Sequence, residues 1–254
     1  MLMNDRARET WSKVPQVTLL FWIIKIAATT LGETGGDAVT MSMNLGYLVG
    51  TAIFAVIFLV AVYFQIRASR FHPFLYWATI VATTTVGTTM ADFADRSLGI
   101  GYAGGSSLLL ILLLASLFVW YRTMGSVSVD TVSSPKAEAF YWITIMFSQT
   151  LGTALGDWMA DDAGFGYAGS AVVFGGLLLL VAALYFWTRI SRTILFWAAF
   201  VLTRPLGAVL GDLLDKPIEH GGLALSRYAA SAALVAFVIA CILVFKQRPA
   251  RAAH

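Results

Sequence analysis

The sequence is poor in charge, cysteine and histidine. Only 12% of its 254 residues are Asp, Glu, Lys or Arg, and it contains one cysteine, Cys241, and three histidines. Soluble globular domains carry about 25% charged residues, so this composition excludes an ordinary soluble enzyme domain. The lone cysteine excludes a disulfide framework, and the 13% of aromatic residues excludes a disordered chain. A nucleic-acid-binding protein does not fit this composition either.

Apolar residues are in excess, at 59% of the chain, and the mean hydropathy is +0.78. A helix needs about 20 apolar residues to cross the hydrocarbon core of a bilayer. Two segments, 14–36 and 193–211, are long and apolar but contain one cation each, Lys25 and Arg204. Six runs without any charged residue meet or approach the required length, at 45–66, 73–91, 97–121, 139–156, 163–188 and 228–245. The sequence therefore predicts an all-α, polytopic membrane protein with eight transmembrane helices.

The other charges divide unevenly between the two sets of loops that eight helices define. Twelve bases and four acids fall on the termini and the even-to-odd connections, whereas three bases and ten acids fall on the opposite side. Loops rich in Lys and Arg face the cytoplasm. We therefore predict a multi-pass protein of the bacterial inner membrane, with cytoplasmic N- and C-termini and an acid-rich outer side.

Four aromatic pairs mark an internal repeat: Phe21-Trp22, Tyr76-Trp77, Tyr141-Trp142 and Phe196-Trp197. Counting from each Trp, a glycine follows at ten residues, a small residue at fourteen and an aspartate at fifteen; the aspartates are Asp37, Asp92, Asp157 and Asp212. This spacing predicts a single membrane domain over 1–254, built from two-helix hairpin repeats at about 14–70, 71–124, 136–190 and 191–246 with a polar linker at 125–135. Because every repeat has two helices, all four are parallel and bring their aspartates to a similar depth.

The repeat motif resembles that of a known family. The motif is most complete in the first repeat, as Leu31-Gly32-Glu33-Thr34-Gly35-Gly36-Asp37. Parts of it recur at the same spacing as Leu151-Gly152 with Gly156-Asp157, and as Leu206-Gly207 with Gly211-Asp212. It is similar to a bacterial family of membrane-anchored proteins built from a tandem repeat of unknown function. The resemblance covers nearly the whole chain and implies the repeat architecture, but it implies no activity and no organic cofactor.

The repeated small residues predict where helices pack. They stand four residues apart, which places them on one helix face and allows two helix backbones to approach closely in lipid. The pairs are Gly32/Gly36, Gly87/Ala91, Gly152/Gly156 and Gly207/Gly211. We expect the odd-numbered helices to converge just where the aspartates follow.

The acids are the candidate site. An acid at bilayer depth costs about 2.5–3.5 kcal/mol, and such residues normally face a bundle interior. Converging carboxylates repel one another unless protons or cations neutralise them, so we expect a cation-binding site formed by Glu33, Asp37, Asp92, Asp157 and Asp212. Supporting acids stand three or four residues away at Asp95, Asp161 and Asp215. The alternative is that these acids lie past the helix ends in a water-exposed outer loop.

Lys25 and Arg204 lie in the body of odd helices and need partners. They are either counter-ions that tune occupancy of the acidic site or markers of an anion site. Oxygen ligands favour hard ions, so the expected metal is Mn, Mg or Ca. The Trp and Tyr residues near helix ends predict aromatic belts at the membrane interfaces.

These patterns predict a transporter or exporter of a hard, divalent metal cation, with intramembrane carboxylates as ligands and coupling to protons or charge. The expected partners are the lipid bilayer, the small cation and protons, and a homo-oligomer is left open. We predict no enzyme activity; an intramembrane hydrolase with paired aspartates is a third, weaker option. The second option is a non-transporting scaffold or sensor, whose acids only stabilise helix packing by pairing with Lys25, Arg204, Arg96 and Arg227.

Overall fold

A computed structural model describes residues 12–250, which form eight α-helices. In chain order they are α1 Leu19–Asp37, α2 Gly46–Arg67, α3 Pro73–Asp92, α4 Tyr102–Met124, α5 Pro135–Asp157, α6 Gly166–Trp187, α7 Arg192–Asp215 and α8 Arg227–Val244. Their starts follow local sequence signals: Thr18, Ser134 and Ser226 cap α1, α5 and α8 through their hydroxyl oxygens. The charges predicted on the cytoplasmic termini fall partly at 1–11 and 251–254, outside the described residues.

The odd-numbered helices form an inner ring. Around this ring α1 packs against α3, α3 against α5, α5 against α7, and α7 against α1. The even-numbered helices pack outside it, and most of the large apolar residues of α2, α4 and α6 are exposed. The core of the protein is therefore the interior of the ring.

The two helices of a repeat do not pack mainly against each other. Instead α2 packs on α3, α4 on α5, and α6 on α7, while the last helix, α8, closes the arrangement on α1. Each repeat therefore covers the inner helix of the next repeat, so the hairpin is a unit of sequence and not a unit of packing.

Five helices are long and apolar enough to cross a membrane: α2, α4, α6, α7 and α8. This is the composition of a membrane protein. The inner helices α1, α3 and α5 fall short, because their buried faces carry threonines, glycines and acids in place of apolar residues. Five candidate spans are thus fewer than the eight predicted, although the number of helices agrees.

Aromatic residues close the ring at the end remote from the acids. The residue before each repeat Trp contacts the Trp of the next inner helix, as in Phe21 with Trp77 at 5.4 Å between ring centroids and Tyr76 with Trp142 at 5.8 Å. The hydroxyls of Tyr76 and Tyr141 are 2.6 Å apart and share a hydrogen bond. These side chains are at most 2% exposed, so the prediction of an interfacial belt is wrong for them. They pack inside because each aromatic pair contacts the pair of the next inner helix all the way around the ring.

The polar linker is ordered. It contains a 3₁₀ turn at Val129–Thr131, and Val129 and Val132 are buried. Its carbonyls accept hydrogen bonds from the Ser12 hydroxyl and the Trp197 indole, which attach it beneath the aromatic end of the ring.

Candidate cation-binding site

The repeat glycines lie where neighbouring inner helices meet. A Cβ atom on Gly32 would overlap Thr84 of α3, one on Gly152 would overlap Arg204 of α7, and one on Gly207 would overlap Thr29 of α1. Gly87 makes the fourth contact of this kind, with Gln149 of α5 at 3.0 Å. The absence of a side chain therefore sets the close approach of the ring helices.

The second set of small residues leaves room for the acidic level. A Cβ atom on Gly211 would lie 2.6 Å from the Cβ of Glu33. A Cβ atom on Gly36 would lie 3.3 Å from the side chain of Thr88 on α3, and one on Gly156 would lie 3.1 Å from the Cβ of Ala208 on α7. Glu33 can occupy the centre of the bundle because the facing residue of α7 is a glycine.

The four repeat aspartates lie at one end of the ring. Asp37, Asp92 and Asp157 are the last residues of α1, α3 and α5, and Asp212 lies in the last turn of α7. Their exposed fractions are only 0–3%. The alternative of a water-exposed outer loop is therefore wrong for these four residues, and also for Glu33, which is 2% exposed.

Two bases join the aspartates of neighbouring repeats. The Nζ of Lys216 lies 2.5 Å from Asp37 Oδ2 and 3.0 Å from Asp212 Oδ1. The guanidinium of Arg96 lies 2.9 Å from Asp92 and 3.8 Å from Asp157. The ring of four aspartates is thereby divided into two bridged pairs.

The position of these bases carries a sequence signal that the repeat alignment did not use. Arg96 and Lys216 each stand four residues after the repeat aspartate, the spacing at which helical side chains meet. The same position in the first and third repeats holds Met41 and Asp161. A count of loop charges alone assigns Lys216 to the outer loops, so it does not place this base in the site.

The electrostatics of both bases keep them charged. Burial by itself lowers the pKa of Lys216, but the carboxylates of Asp212, Asp37 and Asp215 outweigh burial and hold this pKa well above its usual value. Burial likewise opposes the charge of Arg96, yet Asp92 and Asp157 raise the pKa of its guanidinium.

A third base, Arg227 at the start of α8, extends the cluster. Its Nε lies 3.1 Å from Asp215 Oδ2 and 3.8 Å from Asp37 Oδ2, and its Nη1 donates to Ser42 Oγ at 3.3 Å. Because α8 packs on α1, this contact ties the last repeat to the first at the acidic end.

The deepest charged contact is between Arg204 and Glu33. Their Nη2 and Oε2 atoms are 2.9 Å apart, and the same Nη2 donates to the hydroxyl of Thr88 at 2.5 Å and to that of Thr153. One guanidinium of α7 thus contacts all three other inner helices. The expectation that Arg204 is a counter-ion of the acidic site agrees with this geometry.

Lys25 does not join the acids. Its Nζ lies 3.4 Å from the hydroxyl of Thr203 and 4.1 Å from the centroid of the Phe200 ring. It is fully buried, and among the described residues it makes no ion pair. Lys25 is therefore not a counter-ion of the acidic cluster in this conformation.

Only one of the three supporting acids belongs to the cluster. The α-helix ends at Asp92 and Asp157, and a π-helical turn follows at Phe93–Ser97 and Trp158–Asp162, which rotates the next acids away. Asp95 is therefore partly exposed and Asp161 is exposed, so the expectation that these acids support the site is wrong for both. In the fourth repeat α7 continues to Asp215, which stays 7% exposed and reaches Arg227.

Two groups of three buried carboxylates are candidates for holding a metal ion. Glu33, Asp37 and Asp92 offer oxygens that all lie within 4.8 Å of one another, and so do Asp37, Asp212 and Asp215. Asp37 belongs to both groups, whereas Asp157 belongs to neither. Carboxylate oxygens at this spacing suit Mg²⁺, Ca²⁺ or Mn²⁺.

Comparison with known proteins finds the repeat itself. A family model described as Repeat of Unknown Function (DUF347) matches residues 20–71, 75–126, 140–191 and 195–251. No match was found among curated proteins or among solved structures.

Proposed function

The chain belongs to this repeat family, and from that premise we propose that it is a membrane transporter or exporter of a hard divalent cation. It would cross the bacterial inner membrane eight times as four parallel two-helix repeats, with cytoplasmic termini. The cation would bind among Glu33, Asp37, Asp92 and Asp212 at the outer end of the inner ring. Exchange with protons on these carboxylates would accompany its passage.

The observation that carries the proposal is the double role of Asp37. It is fully buried, it is the ligand common to both carboxylate groups, and its Oδ1 has no hydrogen-bond partner in the described part of the chain. A buried carboxylate oxygen without a donor is costly. A cation at this point would satisfy it.

The charge balance of the cluster supports a divalent ion. The buried acids are Glu33, Asp37, Asp92, Asp157, Asp212 and Asp215. The bases within 4.0 Å of them are Arg96, Arg204, Lys216 and Arg227. With all ten groups ionised, six acids against four bases leave a formal charge of −2, which one divalent cation or two protons would neutralise.

The two ends of the ring differ in how easily water and ions can reach its interior. At the acidic end the side chain of Arg96 is 34% exposed, so water and ions can approach the cluster there. At the other end the aromatic level blocks the axis, with Trp77 and Trp142 at most 2% exposed. A transport cycle would require the aromatic level to separate while the acidic level closes.

Manganese flux into proteoliposomes tests the proposal. The full chain is reconstituted, and Mn²⁺ entry is measured for wild type, Asp37→Asn and Asp161→Asn. We expect Asp37→Asn to reduce the flux at least about tenfold, because it removes a ligand of both groups. Asp161→Asn is the matched control, since it removes an exposed acid outside the cluster. Equal flux in wild type and Asp37→Asn would exclude the proposal.

A scaffold role is the second candidate, and the ion pairs favour it. Lys216 and Arg227 each contact Asp37 of the first repeat and Arg204 contacts Glu33, so these bases join the fourth repeat to the first without any ion. Thermal unfolding with and without Mn²⁺ separates the two functions. A melting temperature that rises with Mn²⁺ in wild type but not in Asp37→Asn indicates a cation site. A melting temperature that Mn²⁺ does not change in either protein indicates a scaffold.

A further inference from the structure

The ammonium of Lys216 lies within one of the two sets of three carboxylates. Its Nζ lies 2.5 Å from Asp37 and 3.0 Å from Asp212, which are two of the three acids in the group completed by Asp215. A metal ion bound there would need these oxygens at about 2.0–2.6 Å. A metal ion that binds these two carboxylates therefore meets the positive charge of the ammonium at close range, and this repulsion favours one occupant at a time.

The backbone of Lys216 is fixed, although its side chain reaches into the cluster. Its N–H donates to the Asp212 carbonyl, and its own carbonyl accepts from Ala224 N, both at 2.9 Å. Gly222 packs so closely on that carbonyl that any side chain at 222 would overlap it. The charge is thus held on a short tether beside Asp37 and can leave only by rotation of the lysine side chain.

A base at this position is not part of the pattern that all four repeats share. The equivalent residue of the first repeat is Met41, and that of the third is Asp161. Arg96 fills the position in the second repeat, but its side chain is 34% exposed, while that of Lys216 is 10% exposed. Lys216 is therefore the more enclosed of the two bases.

We propose that Lys216 is a built-in competitor of the transported cation, which must displace its ammonium from Asp37 and Asp212 in order to bind. This inference rests on the proposed function and names Lys216 as the residue that limits the affinity of the acidic site for the cation. Because the displaced ammonium stays tethered nearby, it returns and expels the cation. A site that binds and releases its ion in turn needs such a limit on affinity.

Removing the competing charge should tighten binding. Mn²⁺ binding to the purified full chain is measured from the electron paramagnetic resonance signal of the free ion, for wild type, Lys216→Gln, Lys216→Arg and Asp37→Asn. We expect Lys216→Gln to bind Mn²⁺ at least about tenfold more tightly than wild type, since a positive charge next to the ligands is lost. Lys216→Arg keeps the charge and should stay within about threefold of wild type. Lys246→Gln, which removes an exposed lysine, is the control for net charge.

Footprinting of the wild-type chain tests displacement even where Lys216→Gln folds poorly. An amine-acylating reagent should label Lys216 several-fold faster in saturating Mn²⁺ than in its absence, with Lys246 as the internal reference. Labelling of Lys216 that stays constant on Mn²⁺ binding would overturn the inference.

The failures of the two proposals are distinguishable. If wild type binds Mn²⁺, Asp37→Asn does not, and Lys216→Gln binds no more tightly than wild type, the role of Lys216 is excluded and the cation site stands. If neither wild type nor Lys216→Gln binds Mn²⁺, the cation site is excluded and this inference with it. Binding by Lys216→Gln alone supports the competition.

Discussion

At the scale of the residue, the interior of the ring contains two fully buried bases with different surroundings. Arg204 reaches Glu33 and two threonine hydroxyls, whereas Lys25 faces a hydroxyl and an aromatic ring. Their positions in the sequence, each in the body of an odd helix, predicted that both are intramembrane cations. The sequence could not show that only one meets an acid, because that depends on Glu33 extending from α1 across to α7.

We expect these two bases to differ in their effect on stability. Arg204→Met leaves Glu33 buried without its partner and should lower the free energy of unfolding by about 3–5 kcal/mol, whereas Lys25→Met should change it little or raise it. Unfolding of the purified chain in detergent measures both. Adding Glu33→Gln to Arg204→Met should recover part of the loss. Equal destabilisation by Arg204→Met and Lys25→Met would contradict the assignment of the ion pair.

At the scale of the element, the inner helices owe their packing to the repeat glycines. The sequence predicted this face, and all seven glycines lie at helix contacts in the ring. It could not predict how the helices end: the π-helical turns after Asp92 and Asp157 move Asp95 and Asp161 outward, whereas α7 runs on and keeps Asp215 inside. Nor could spacing alone place Tyr76 and Trp77 between the inner helices, because an aromatic pair near a helix end is equally compatible with a lipid interface.

Two glycine-to-alanine substitutions test the close approach of the inner helices. Gly152→Ala would drive a Cβ atom into Arg204 and against the Pro205 ring, so we expect a loss of about 1–3 kcal/mol in the free energy of unfolding. Gly176→Ala on α6 is the matched control. It has no neighbour within 4 Å and should be neutral or stabilising by up to about 1 kcal/mol, because alanine favours the helix. If both variants unfold alike, the helices do not depend on this contact.

At the scale of the whole molecule, the outer layer of helices is completed by the last helix, α8. α8 packs on α1, and the Ser231 hydroxyl lies 2.8 Å from that of Thr34, next to the acidic level. The periodic sequence motifs predicted four repeats, and the family match agrees with them. They could not predict that each outer helix covers the following repeat, since this follows from the geometry of the connections and not from any one residue.

Removal of α8 should therefore damage the first repeat and not the last. We expect a chain that ends at residue 226 to lose most of its accumulation in membranes, because α1 would lose its outer packing partner, the Thr34 hydroxyl its Ser231 partner and Asp37 its contact with Arg227. Western blotting of membrane fractions measures this. Co-expression of residues 227–254 as a separate segment should restore accumulation. A truncated chain that accumulates and melts like wild type would show that α8 is dispensable.

The positions of Arg96 and Lys216 carry a consequence for the symmetry of the ring. The glycine contacts and the aromatic contacts repeat four times, but the bridging bases occur in the second and fourth repeats only. The packing is therefore close to fourfold, whereas the charges at the acidic end follow a twofold pattern, so the four aspartates are two pairs and not four equivalent groups.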